Sequence, residues 1–135
     1  MILRAMGLNL LAVIAAAAVI WLIGFLLYAV LFSELWIEWM GWSPDETKSG
    51  ASRMPFMVVM PALQAVGIAL VIKWRDEPGW FDGLKVGLAL AVFVAVAARM
   101  YGWVYSFERT ELFGLDTLHL LLTHMAAGAI LGAWK

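Results

Sequence analysis

The sequence predicts an all-α integral membrane protein, built as a bundle of four transmembrane helices in a single domain over residues 1–135. Of its 135 residues, 64% are hydrophobic and 14% are charged, and the mean hydropathy is +0.90. Soluble domains are about 45–50% apolar and about 25% charged. A water-soluble core of this length cannot bury so much apolar surface, so lipid is the expected solvent. The chain has no cysteine and no basic stripe, which excludes disulfides and argues against a nucleic-acid partner.

Four apolar stretches define the expected spans, over residues 9–32, 54–73, 84–105 and 115–134. At about 1.5 Å per residue, helices of this length cross a hydrocarbon core of about 30 Å, whereas a barrel strand needs only about 9–11 residues. The first stretch follows Arg4, as the apolar region of a signal peptide does. It is longer than the roughly 7–15 apolar residues of such a signal, so we expect a retained span.

Polar residues in the connections predict where helices begin. Ser43-Pro44-Asp45-Glu46 has the pattern of a capping box with proline at the first helical position. It predicts a short surface helix over residues 44–50. Asp82 and Asp116 are the expected N-caps of the third and fourth spans.

Basic residues are distributed unequally between the two ends of the predicted bundle. Five lie on the side of the chain termini (Arg4, Lys73, Arg75, Lys85, Lys135) and three on the other (Lys48, Arg53, Arg109). Because cytoplasmic loops carry the excess of Lys and Arg, we expect a bacterial inner-membrane protein with both termini in the cytoplasm. Tryptophans near the span ends are typical of an interfacial aromatic belt: Trp36, Trp39, Trp42, Trp74, Trp80, Trp103 and Trp134.

The two ends of the chain carry a family resemblance. The first span and its exit contain Asn9-Leu10-Leu11-Ala12-Val13 and Gly24-Phe25-Leu26-Leu27-Tyr28, followed by Leu31-Phe32, Trp36 and Gly41. The end contains Arg109, Phe113 and Ala127-Gly128-Ala129-Ile130-Leu131-Gly132-Ala133-Trp134. In both stretches the chain resembles the bacterial and fungal membrane family catalogued as domain of unknown function 1761, although Leu27 stands where that family has tryptophan. The resemblance implies a small four-helix membrane protein without an established activity, so no catalytic residue is transferred.

Small residues at four-residue spacing form a stripe on three of the spans. The members are Ala12, Ala16 and Gly24 in the first, Gly83, Gly87, Ala91 and Ala95 in the third, and Gly128 and Gly132 in the fourth. Such stripes let helix backbones approach closely. They predict helix packing, either within the chain or between subunits.

Arg99 is a charge inside the third span, about 22 Å from its expected start. A charge at this depth pairs, lines a polar cavity or snorkels to the headgroups. The expected partners on the same side are Glu34, Glu38 and Asp116. His119 shares a helix face with Asp116. Together these five residues are a candidate site for an anionic headgroup or a small acid.

The histidines have no chelating pattern, and no metal is expected. His119 and His124 lie about 140° apart around one helix, so they cannot bind a single ion. His124, flanked by small residues, could instead ligate a buried tetrapyrrole pigment. A bound lipid is also compatible with the sequence, and no other cofactor is expected. No nucleophile motif or phosphate-binding loop is present, so the sequence gives no reason to expect an enzyme.

The sequence therefore favours a non-enzymatic membrane subunit, either a homo-oligomer or an accessory protein that packs against a larger membrane complex. The alternative is a binder or carrier of a small ligand or lipid, with an outer-leaflet polar pocket around Arg99. A membrane enzyme acting on lipid or quinone is the third and least supported class.

Overall fold

The computed structural model describes residues 4–43, 45–46, 53–76 and 79–134, and these residues are helical apart from turns and one short hairpin. In the hairpin, β1 (Arg4–Ala5) pairs antiparallel with β2 (Leu8–Asn9). The helices are α1 (Leu10–Leu31), α2 (Ser33–Met40), α3 (Phe56–Arg75), α4 (Trp80–Tyr105) and α5 (Thr110–Ala133). All except α2 are long and apolar enough to cross a membrane. The predicted all-α fold with four membrane-length helices is confirmed.

Two of the long helices begin earlier than the apolar pattern predicts. The first residues of α4 and α5 are Trp80 and Thr110, with Gly79 and Arg109 as the capping positions. The prediction that Asp82 and Asp116 are N-caps is therefore wrong. Apolarity shows where the lipid core begins, whereas helical hydrogen bonding continues into the polar residues that precede it.

The exit from α1 contains a helix that the sequence did not predict, α2, and Gly41 caps its C-terminus in the left-handed conformation. Beyond it, the predicted capping box is present. The Ser43 amide donates to Glu46 Oε2 at 2.7 Å, and the Glu46 amide donates to Ser43 Oγ at 3.3 Å. The first contact lowers the pKa of the Glu46 carboxyl. Residues 45–46 are helical, and the remainder of the predicted helix over 44–50 lies outside the described residues.

The small-residue stripes of α4 and α5 pack against each other. A Cβ atom at Gly83 would overlap the carbonyl oxygen of Gly128 and lie 2.9 Å from Gly132 Cα. A Cβ atom at Gly87 would overlap the carbonyl oxygen of His124. The hydrogen side chain of glycine is thus required for this approach. On the same face of α4, Ala91 is fully buried and Ala95 is half-buried.

The apolar core lies in the half of the bundle that contains the chain termini. It is formed by α1, α3, α4 and α5, with Ala12, Ala16, Ile20, Ala65, Ile68, Ile72, Val86, Ala127 and Leu131 among its buried members. In the opposite half, residues 53–60, which lead into α3 and form its first turn, are exposed without interruption. The charged side chains described next also lie in that opposite half.

Candidate functional site

A cluster of polar and charged side chains joins three helices in the half of the bundle away from the termini. Tyr28 comes from α1, Arg99 from α4, Asp116 from α5, and Glu108 from the connection between α4 and α5. Arg99 precedes the end of α4 by six residues and Asp116 follows the start of α5 by six. Both therefore lie about 9 Å from a helix end.

Asp116 is the central acceptor of this cluster. Arg99 Nε donates to Asp116 Oδ2 at 2.8 Å, and Arg99 Nη2 lies 2.8 Å from the same oxygen. The Tyr28 hydroxyl donates to the other carboxylate oxygen, Oδ1. Charge-assisted hydrogen bonds of this kind are stronger than neutral ones. The inward pairing expected for Arg99 is present, with Asp116 as its partner.

Glu108 places a second carboxylate on Arg99. Its Oε2 atom is buried and forms an ion pair with Arg99 Nη2. Glu108 follows Phe107, which is 90% exposed in the non-helical connection between α4 and α5. Gly102 provides the space, because a Cβ atom there would lie 2.7 Å from Arg99 Nη1 and 3.0 Å from Glu108 Oε1.

The charges of the cluster do not balance. One guanidinium faces two carboxylates, which leaves a formal surplus of one negative charge. The side chains of Arg99, Asp116 and Glu108 are 24%, 18% and 30% exposed, so all three are partly buried and none is fully enclosed. Charges at this depth interact with one another more strongly than charges on the surface do, because water screens them less.

Two π-helical turns lie beside the cluster. Tyr28 is within the first, Leu26–Leu31 in α1, and Arg99 follows the second, Ala91–Val96 in α4, by three residues. A π turn widens the helix and so moves the residues after it around the axis. Such turns occur frequently at functional sites. Sequence patterns do not reveal them, because the same apolar residues are compatible with an α-helix.

His119 lies beside the cluster in contact with Tyr28. Their ring centroids are 5.1 Å apart at an interplanar angle of 63°. On α1, Gly24 faces this histidine, since a Cβ atom there would lie 3.2 Å from His119 Nε2. Trp36 packs on Tyr28 with a centroid distance of 5.2 Å. The rings of Trp36, Tyr28 and His119 thus pack together on the α1 side of the cluster.

Glu34 and Glu38 are not partners of Arg99. Glu38 is 4.0 Å from Arg109 Nη1, and its side chain is 66% exposed. Glu34 is exposed and makes no ion pair with any described residue. The physical reason is that a new helix begins at Ser33, after a break at Phe32, so α2 does not extend the axis of α1.

His124 lies in a separate, buried environment between α5 and α4. Its Nδ1 is 2.8 Å from the carbonyl oxygen of Leu120. Because a carbonyl only accepts, Nδ1 carries the proton and Nε2 of the neutral ring does not. Within the described ranges, no group of three or more His, Asp or Glu side chains is arranged to hold a metal ion.

Tyr28, Glu108 and Gly102 are site residues that the sequence analysis missed. Tyr28 looked like one aromatic residue in an apolar span. Glu108 lies in a connection, and such a residue has no helical register from which a partner can be inferred. Gly102 follows Arg99 by three residues, and this spacing was the available signal that space is needed beside the guanidinium.

A family model described as "Protein of unknown function (DUF1761)" matches residues 11–132, a range that includes the whole cluster. No curated protein and no solved structure matches the chain.

Proposed function

The chain belongs to the DUF1761 family of proteins of unknown function, and we propose that it is a non-enzymatic membrane protein that binds an oxyanion at Arg99. The oxyanion is the carboxylate or phosphate of a small acid or of an acidic lipid headgroup. One observation carries the proposal. Arg99 forms ion pairs with two carboxylates, of which Asp116 belongs to a helix and Glu108 to a non-helical connection.

Asp116 is a fixed partner of Arg99. It is part of α5, and both of its oxygens are engaged, one by Arg99 and one by Tyr28. This pair orients the planar guanidinium, whose fork of donors matches carboxylate and phosphate groups. Losing Asp116 would also disturb the packing of three helices, so it is not the carboxylate that a ligand replaces.

Glu108 is the exchangeable partner. It belongs to a non-helical connection, and its described contact to the cluster is the ion pair with Arg99. Movement of this side chain into water would leave the helix contacts intact. An incoming oxyanion would take its place with the same charge count at Arg99. Glu108 then acts as an internal stand-in for the ligand.

The test is anion binding by the purified protein, with Glu108→Gln as the informative variant. This change removes the competing charge and keeps the side-chain volume, so oxyanion affinity should rise about tenfold, equivalent to about 1.4 kcal/mol. Arg99→Gln should abolish binding. Glu111→Gln is the matched control, because Glu111 pairs with Arg109 at 3.5 Å rather than with Arg99.

The choice of probe distinguishes a soluble small acid from an acidic lipid headgroup as the ligand. Acetate, succinate and inorganic phosphate are titrated against protein in neutral detergent, and phosphatidylglycerol is tested in nanodiscs against phosphatidylcholine. Binding of the soluble acids alone identifies a small-acid site, and binding of the lipid alone identifies a headgroup site. Unchanged or weaker binding by Glu108→Gln would overturn the exchange mechanism.

A second candidate is a subunit role, as a homo-oligomer or an accessory protein of a larger membrane complex. Its support is the exposed segment 53–60, which includes the start of α3 and in which Val58 is 72% and Phe56 60% exposed. The glycine stripes do not support it, because α4 and α5 use them on each other. Native mass spectrometry after mild-detergent extraction tests it: a defined larger assembly is expected, and a monomer would contradict it.

The basic residues support a location in a bacterial inner membrane with both termini in the cytoplasm. Lys73, Arg75 and Lys85 lie at the end of the bundle that contains the termini. This orientation places the Arg99 cluster in the outer leaflet.

A further inference from the structure

Phe107, which directly precedes Glu108, has a backbone conformation that is unfavourable for its residue type. Its φ angle is +54°, in the left-handed region. Helices α2 and α3 are also followed by a left-handed residue, but there it is Gly41 or Asp76, and glycine and aspartate tolerate this region far better than an aromatic residue does. The side chain of Phe107 is 90% exposed, so packing within the bundle does not compensate for the conformation. Another contact must therefore hold it.

The ion pair between Glu108 and Arg99 is that contact. If α4 continued as a helix, the Cα atom of residue 108 would lie about 14 Å beyond that of Arg99 along the axis, out of reach of its side chain. A left-handed residue after a helix ends the helix and changes the direction of the chain. With Phe107 in this conformation, the Glu108 carboxylate instead lies on Arg99 Nη2 and beside Gly102. The position of Glu108 thus depends on the backbone of Phe107.

We propose that Phe107 is a positioning residue for the exchange of Glu108 against an oxyanion at Arg99. While Glu108 is on Arg99, Phe107 is held in the left-handed region. When Glu108 leaves, Phe107 returns to an ordinary φ angle, and the free energy released by this relaxation favours the ligand over Glu108. This inference rests on the proposed function, because it requires that Glu108 is the carboxylate that a ligand replaces.

The segment that has to move consists of two residues. On one side of it, the Ser106 amide still donates to a carbonyl oxygen of α4 at 2.9 Å. On the other side, the Arg109 carbonyl oxygen accepts from an amide of α5 at 3.2 Å. Phe107 and Glu108, between them, make no backbone hydrogen bond with any residue that the structure describes. A change of φ at Phe107 therefore moves Glu108 without breaking a backbone hydrogen bond of either helix.

The ends of α4 and α5 are joined by contacts that do not involve Glu108. The Trp103 ring stacks on Phe113 with a centroid distance of 5.2 Å and an interplanar angle of 17°. Its Nε1–H donates to Thr110 Oγ1 at 3.2 Å. Together with the pair of Arg99 and Asp116, these contacts keep the two helix ends together after Glu108 has left. The exchange is thus a local movement, and the guanidinium stays in place for the ligand.

The experiment compares two substitutions of Phe107 by their affinity for inorganic phosphate in neutral detergent and for phosphatidylglycerol in nanodiscs. Phe107→Gly makes the left-handed conformation favourable and so keeps Glu108 on Arg99. Oxyanion affinity should fall about fivefold, equivalent to about 1 kcal/mol. Phe107→Ala is the matched control, because it removes the ring but keeps the Cβ atom that makes this conformation unfavourable. It should bind as the wild type does, and an equal loss in both variants would assign the effect to the ring and overturn the proposal.

The same substitution in a Glu108→Gln background provides a readout that a merely structural role of Phe107 would not change. Without the competing carboxylate, Phe107→Gly should leave oxyanion affinity unaltered, and a persisting loss would contradict the proposal. Failure of Glu108→Gln alone to raise affinity would overturn the proposed exchange itself. A gain from Glu108→Gln combined with wild-type binding by Phe107→Gly would overturn only the role of Phe107.

Discussion

Arg99 on α4 and Asp116 on α5 are joined by a hydrogen bond and an ion pair, each 2.8 Å long. The same two helices touch backbone to backbone near their other ends, where Gly83 meets Gly128. One helix pair is thus held by close packing in one half of the bundle and by charge in the other.

Replacement of Arg99 should destabilise the bundle according to what the new side chain retains. Arg99→Ala leaves Asp116 and Glu108 as neighbouring carboxylates without their cation. It should lower the free energy of unfolding by about 1–3 kcal/mol, which is less than for a fully buried ion pair because these side chains are partly exposed. Arg99→Lys keeps the charge but not the donor fork, so its loss should be smaller. Thermal unfolding in detergent measures both. Arg109→Ala, at a side chain 48% exposed, is the control and should cost less than about 1 kcal/mol. Wild-type stability of Arg99→Ala would contradict a structural role for the pair.

Removal of the Tyr28 hydroxyl should weaken the link from α1 to α5. Tyr28→Phe deletes the donor to Asp116 and should lower the free energy of unfolding by about 1 kcal/mol. Tyr105→Phe, at a ring 73% exposed, is the matched control and should have no effect. A double-mutant cycle with Asp116→Asn isolates the pair, and strict additivity would show that the two side chains do not interact.

Bulky substitutions in the glycine contacts should separate α4 from α5. Gly87→Leu and Gly128→Leu insert side chains where backbone atoms lie, and each should cost about 1–3 kcal/mol or more. Gly67→Leu and Gly114→Leu are matched controls within helices, because an added Cβ atom there meets nothing within 4 Å. The controls should be neutral or more stable by up to about 1 kcal/mol, since leucine favours helix more than glycine does. Equal effects at all four positions would refute close backbone packing as the cause.

The proposed orientation predicts opposite outcomes for two C-terminal reporters. With the C-terminus in the cytoplasm, an alkaline-phosphatase fusion should be inactive and a fluorescent-protein fusion bright. The same reporters inserted near residue 50 should give the reverse result and serve as the internal control. An active phosphatase at the C-terminus would invert the topology, and would move the Arg99 cluster to the inner leaflet.

Apolar length was sufficient to specify the four membrane helices and the all-α class. A residue in lipid must satisfy its backbone hydrogen bonds locally, so a long apolar stretch has only one available structure. The sequence also singled out Arg99, because a charge at that depth is costly when it faces lipid, but it left pairing, a polar cavity and snorkelling as alternatives. Stripes of Gly83, Gly87, Gly128 and Gly132 predicted close packing, but not whether the partner was the same chain or another.

Only the tertiary structure decided which side chains meet. Arg99 pairs with Asp116 and Glu108 rather than with Glu34 or Glu38, although the sequence offered those two as partners equally with Asp116. The choice depends on the rotation of each helix about its axis, which the glycine contacts and the two π turns set, and on the break after which α2 leaves the line of α1. These are relationships between elements distant in sequence. A local pattern of apolar and polar residues does not determine them, because many rotations of a helix about its axis would bury its apolar residues equally well.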